Sequence, residues 1–230
     1  IYNFSGTYQF FQSVPQILKI QNLMFYCKKL DNTYFKKKYY FLWFKQIFIK
    51  RLFFNIMLNK ANYIEVQSSH VVDNLSPYLS NRPREFFIKS DVDVSSNLFL
   101  NPKNYNFNKT IKFLFVVGPH FEDLHKNFTE FVNAMISLDN QNLNFEINIT
   151  LSRIQLEQYK NWDVSLNSKT NFLGYISDEK LMSNLYCDNT ILISTSIIET
   201  LGLPIIEGIK NGIYVITPDE NYASSVYGDS

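Results

Sequence analysis

The sequence predicts an α/β protein with doubly wound parallel sheets. Three observations carry this reading. Strand-like and helix-like patterns alternate five times through the second half of the chain. The strand-like runs are continuously apolar, as in strands buried on both faces. Glycines punctuate the pattern, with Gly118 and Gly174 closing strands and Gly212 just past a helix.

In the second half, Lys112–Gly118 reads as the first strand. Asn127–Leu138 places Phe128, Phe131, Val132, Met135 and Leu138 at helical spacing. Phe145–Leu151 is a second strand, and Arg153–Trp162 a helix. Asn171–Leu173 is a short strand. Ser177 is the expected N-cap, with Asp178 and Glu179 in the first turn, of a helix to about Tyr186. Thr190–Thr195 is the next strand, Leu203–Lys210 a helix with Pro204 in its first turn, and Tyr214–Thr217 another strand.

In the first half, Gln16–Leu23 and Asn62–Gln67 read as buried strands, and Ser68–Leu79 as helical. Tyr34–Asn59 is a long apolar stretch studded with lysine and arginine. The polar zone Ser90–Asn108 separates the halves, so we divide the chain into domains 1–95 and 109–230 with a linker at 96–108. The chain starts at Ile1 and stops inside an unfinished pattern. The expectation is therefore a fragment whose N-terminal domain, and the last part of whose C-terminal domain, are incomplete.

Composition narrows the function classes. The 230 residues carry a net charge of only +1, which argues against nucleic acid as a partner. Hydrophobic residues make up 46%, enough for a packed core rather than disorder. The abundance of Phe, Tyr, Asn, Lys and Ile is read as codon bias. Cys27 and Cys187 have no disulfide or metal-ligand spacing, which fits a reducing cytoplasm.

The chemistry concentrates in Ser194–Glu207. A strand runs into a short loop, Gly202 permits close backbone approach, and a helix begins at Leu203-Pro204. Unpaired amides and a partial positive charge make such a helix start a seat for a diphosphate. In an open parallel sheet it also lies at a strand's carboxyl end, where ligands bind. Glu199 and Glu207 flank the seat. Each carboxylate can accept two hydroxyl hydrogen bonds, one set from a sugar and one from a ribose. Glu207 is expected to be buried among Ile205, Ile206 and Ile209, at a cost unless something binds it.

This stretch resembles the Glu-x7-Glu signature of family 4 glycosyltransferases, which have the GT-B fold of two Rossmann-like domains. Phe113–Ala134, with Gly118 and His125-Lys126-Asn127-Phe128, is similar to that family's first C-domain strand, loop and helix. Phe172–Ile176 resembles its third strand, and Pro218-Asp219, Tyr222 and Val226–Asp229 the loop after the donor helix. The likeness covers nearly all of 111–229. Ile20–Leu23 and Ala61–Ser68 look like N-domain strands of bacterial members that assemble polysaccharides, O-antigen or capsule.

The resemblance implies a retaining hexosyltransferase of cell-surface polysaccharide synthesis. Its donor would be a nucleoside diphosphate sugar and its acceptor a saccharide or lipid-linked saccharide, with no metal or other cofactor. Glu199 would contact the transferred sugar, Glu207 the ribose, and the amides near Leu201, Gly202 and Leu203 the diphosphate. Lys126 matches the phosphate-binding lysine; Glu199 and Lys126 are the catalytic pair. Many members carry an arginine after the strand glycine, where this chain has Pro119 and His120.

Other readings stand beside this one. A non-catalytic homologue acting as a scaffold would fit the missing arginine. Asp91-Val92-Asp93 mimics the Asp-x-Asp metal motif of the GT-A fold. His125 adjoins Lys126 and is within reach of a diphosphate, whereas His70 is expected to be structural on a surface helix. Residues 36–54 mix lysines with aromatics. They suit either the inner face of an anionic membrane, contacted peripherally from the cytoplasm, or a helix packed on its sheet with snorkelling lysines.

Overall fold

The computed structural model describes residues 1–4, 6–10, 13–79, 85–92, 102–177 and 179–227. The chain forms two compact units. The first is Ile1–Asp93 with Ile197–Leu201 and Glu220–Ser230; the second is Val94–Ser196 with Gly202–Asp219.

The first unit holds strands β1 (Tyr2–Asn3), β2 (Ile17–Lys19), β3 (Tyr63–Val66) and β4 (Glu85–Ile88), paired in that order and all parallel. Parallel neighbours need crossovers. The one from β2 to β3 carries α1 (Lys28–Lys36), α2 (Tyr40–Trp43), a π-helical stretch Phe44–Phe48 and α3 (Ile49–Lys60). The apolar run that begins at Tyr34 is therefore broken. Lys38 adopts φ +59°, which ends α1, and Tyr39 starts the chain anew. Arg51 is drawn inward, donating twice to Asp31 at 2.8 and 2.9 Å, while Trp43 donates to the same carboxylate at 2.7 Å. From β3 the chain runs through α4 (Ser69–Leu75) and a 3-10 turn, Ser76–Tyr78. Leu18, Ile64 and Val66 of the sheet are buried, as are Leu30, Ile47, Leu58, Val71 and Leu75 of the helices.

Two charges are buried in this sheet. Lys19 and Glu65 are register partners on β2 and β3, 3.4 Å apart, and the Lys19 ammonium also pairs with Asp91. Gln67 donates to the other Asp91 oxygen at 2.7 Å. Pairing is what makes such burial tolerable. Asp91, the first half of the Asp-x-Asp candidate, is thus the counter-ion of a buried lysine; Asp93 lies outside the described residues.

The second unit holds β5 (Ile111–Phe115), β6 (Phe145–Ile149), β7 (Thr170–Phe172), β8 (Thr190–Ile193) and β9 (Tyr214–Ile216). Their order is β7-β6-β5-β8-β9, all parallel. Side chains alternate across β5. Phe115 turns to α5 (Phe128–Asn140), where the Phe131 ring lies tilted against it, centroids 4.3 Å apart, in a cluster with Phe128, Val132 and Met135. Leu114 turns to the other face, where Tyr186, Leu192 and Ile213 enclose it. Helices on both faces are the doubly wound arrangement.

Helix α6 (Arg153–Glu157) opens with a capping box of Ser152 and Gln155. It is shorter than the pattern predicts. Trp162 closes a turn on Tyr159 and donates its indole N–H to Asn167, so the chain passes into a 3-10 segment, Val164–Lys169. Helix α7 (Glu179–Leu185) follows; Asp178, expected in its first turn, lies outside the described residues. Helix α8 (Leu203–Lys210) has the bounds expected from Pro204 and Gly212. Its Gly208 faces the sheet. A Cβ there would sit 2.9 Å from Val215 Cγ2 and 3.0 Å from Leu192 Cδ2, so a side chain at this position would force its neighbours to shift. Helix α9 (Asn221–Tyr227) belongs to the first unit and packs on α4. The sequence division had left 197–201 and 220–227 with the second half; Gly228 and Asp229 lie outside the described residues.

Candidate functional site

Strand order places the site. In the second unit the first strand, β5, lies between the second and the fourth, so the order reverses between β5 and β8. Ligands of doubly wound sheets bind outside the carboxyl ends of the strands at that point. The loops leaving β5 and β8 carry Gly118 to Lys126 and the approach to α8.

The loop after β5 is fixed by its own polar contacts. Thr150 Oγ1 accepts from Val117 N and donates to Val117 O, both at 2.8 Å. Phe121 is buried, with its ring against Phe128 and Tyr159. A 3-10 turn, Leu124–Lys126, then leads to Asn127, whose left-handed φ of +49° caps α5. Lys126 is thereby held half-buried beside the start of α5. Thr195, in the loop after β8, donates its hydroxyl to Lys126 O at 2.8 Å, tying the two loops together. Nothing lies within 4 Å of where a Cβ would sit at Gly118, so the chain leaves open space just past β5. His125 is half-buried, its Nδ1 4.0 Å from Asp123 Oδ2.

Helix α8 starts at Gly202, whose φ of +69° suits glycine, and no side chain caps it. The amides of Ile205 and Ile206 both turn back to Gly202 O. Pro204 has no N–H, so the amides of Gly202 and Leu203 are the ones at this end left outside the helix's own pairing. Glu207 lies one turn further. It is exposed, not buried as expected, because it sits on the face of α8 opposite Ile206 and Gly208. The buried Tyr186 donates to its Oε2 at 2.9 Å. Burial and the Glu207 charge raise the Tyr186 pKa, so the phenol stays a donor. Tyr186 thus orients Glu207 with one oxygen already engaged, a partnership with no signal in the sequence.

The structure places Lys126, Gly202, Leu203 and Glu207 in one unit, the one that holds the switch point. Glu199 and Leu201 belong to the first unit. Leu201 is buried, which leaves only its backbone for binding. Glu199 is half-buried, and its backbone is engaged by His70. That histidine is itself a correction. It is only 5% exposed, not on a surface helix face, because the residues that cover it come from 197–201 and α9.

Among curated proteins, none matches the chain by sequence. Solved structures share its fold. Sucrose-phosphate synthase from Thermosynechococcus elongatus superposes with a TM-score of 0.62 at 16% identity, over 91% of this chain and 51% of that one. TarM superposes with a TM-score of 0.51 at 18% identity, over 92% of this chain and 38% of that one. The chain thus spans about half, or less, of the proteins it resembles in fold. Two Rossmann-like units with parallel sheets are the GT-B composition. Residues 99–229 match the family of glycosyl transferases group 1, and the match takes in both loops of the switch point and all of α8. Since it covers more than half of the sequence, the chain belongs to the glycosyl transferases group 1 family.

Proposed function

We propose that the protein transfers a sugar from a nucleoside diphosphate sugar to an acceptor hydroxyl, with retention at the anomeric carbon. The observation that carries this is the tie that Thr195 makes between the loop of Lys126 and the loop after β8, in the unit that also holds the uncapped start of α8. A diphosphate needs positive charge and amide donors together, and both are present there. Glu207, one turn along, suits the ribose diol, and Glu199, three residues before Gly202, the transferred sugar.

The bond from the anomeric carbon to the diphosphate breaks and one to the acceptor oxygen forms. The acceptor proton passes to a leaving phosphate oxygen. Lys126 and the Gly202 and Leu203 amides stabilise the charge that develops on the diphosphate, and no metal is required. The class within the family is that of family 4, acting in cell-surface polysaccharide synthesis in the cytoplasm. Titration of the complete protein with UDP- and GDP-sugars tests the reading. One of them should bind in the presence of EDTA, and Lys126→Ala should weaken that binding about tenfold or more, as expected for a hydrogen bond to a charged group. No heat with any donor would support a scaffold in place of an enzyme.

The acceptor is proposed to be lipid-linked, reached from the membrane surface. Residues 36–56 support this. Phe41 is 80% exposed and Phe53 64%, with Tyr40, Phe44, Leu52 and Ile56 also exposed. Lys36, Lys37, Lys38, Lys45 and Lys50 are interspersed and exposed. No helix among the described residues is long and apolar enough to cross a membrane. Exposed aromatics with lysines fit an anionic lipid surface, contacted peripherally. The protein should sediment with vesicles rich in phosphatidylglycerol and not with phosphatidylcholine alone. Serine at both Phe41 and Phe53 should abolish that; retained sedimentation would refute the contact.

A further inference from the structure

Residues 197–201 form no regular secondary structure, so their path depends on side-chain anchors. Ile198 and Leu201 are buried and fix the ends. Between them the carbonyls of Glu199 and Thr200 each meet a donor from the start of α4. His70 Nε2 lies 2.9 Å from Glu199 O, and Ser68 Oγ donates to Thr200 O at 2.9 Å. A carbonyl only accepts, so Nε2 carries the proton. Nδ1 is then the acceptor, and the Ser225 hydroxyl of α9, 3.2 Å away, is the donor available to it, because the single Ser68 proton goes to Thr200 O.

We propose that His70 is a positioning residue. With Ser68 it clamps the Glu199–Thr200 backbone and so aims the Glu199 carboxylate. The inference rests on the reading of Glu199 as the sugar-holding residue.

The clamp is built to stay in one form. Burial pushes the His70 pKa down, against the opposing pull of the Glu199 carbonyl and the Asp73 carboxylate on α4. Cys27, Lys28, Lys29, Asp73 and Glu220 are the thiol and charged groups that share with it a pocket of about 340 Å³. Because the folded pKa is lowered, the unfolded chain takes the proton first. The stability held by neutral His70 is full above about pH 6.5 and declines as pH falls below it.

The test uses the complete protein and two substitutions. His70→Leu removes the donor and should lower kcat about tenfold, the size of one hydrogen bond, with binding of free UDP or GDP unchanged. His70→Gln keeps an N–H where Nε2 lies and should recover most of the loss. Wild-type rates in His70→Leu, or equal losses in both variants, would overturn the proposal. If His70→Leu does not fold, 15N spectra of histidine-labelled wild type decide. An Nε2–H ring that stays neutral through about pH 6.5 is expected, and an Nδ1–H ring or ordinary titration there overturns it. That spectrum reads His70 even if no donor binds, so failure of the transferase reading is seen separately.

Discussion

Alanine at Glu199 is expected to lower kcat/KM about a hundredfold while hardly changing stability. A carboxylate that accepts from sugar hydroxyls makes charged hydrogen bonds, each about 1.5–3 kcal/mol, and about 1.4 kcal/mol is tenfold in rate. The substitution falls outside the buried core. The Glu199 side chain is half-buried, and it is the backbone carbonyl, not the carboxylate, that His70 holds. The melting temperature should move by no more than about 2 °C, as for a substitution outside the core. Steady-state rates with the donor that the wild type turns over, set beside thermal unfolding, measure both. Near-wild-type turnover would remove Glu199 from the reaction.

The second large effect is on stability. Gly208→Val is expected to cost about 2–3 kcal/mol, seen as a fall of about 5–10 °C in melting temperature. Glycine inside a helix is itself unfavourable by about 1 kcal/mol relative to alanine, so its presence needs a reason. The reason is the close approach of α8 to β8 and β9, where a Cβ would fall within 3.0 Å of Val215 and Leu192. Leu192 can turn its methyl aside, but Val215 is β-branched and stiff. Valine would push α8 off the sheet, shift its Gly202 end, and weaken nucleotide binding along with stability. Alanine should do far less, since its helix propensity offsets part of the clash. Unchanged unfolding in Gly208→Val would refute the packing argument.

What the sequence showed and what it hid follow from the range of the forces involved. β5 and β8 were legible because a strand buried on both faces must be apolar along its length. Helix α8 was legible at both ends, because Pro204 and Gly212 act through local backbone geometry. The Lys126 loop carries no periodic pattern, and its reading rests on resemblance to a family. By contrast, His70 is buried by residues more than a hundred positions later, and no local pattern reports that. Glu207 looked buried because its neighbours are isoleucines, yet the helix turn puts it on the outer side. The counter-ion role of Asp91 depends on Lys19, 72 residues away. Strands β1 and β4 were missed because such short strands have too few residues to show a period.

Neither unit is a single stretch of chain. The first is assembled from three pieces and the second from two, and in sequence Gly202–Asp219 falls between two pieces of the first. A protease cut or truncation near residue 94 would therefore leave the leading piece without 197–201 and α9, while the trailing piece would keep the whole second unit and carry those segments as orphans. Expressing the first unit alone would require splicing its three pieces together in chain order, not one cut at a linker.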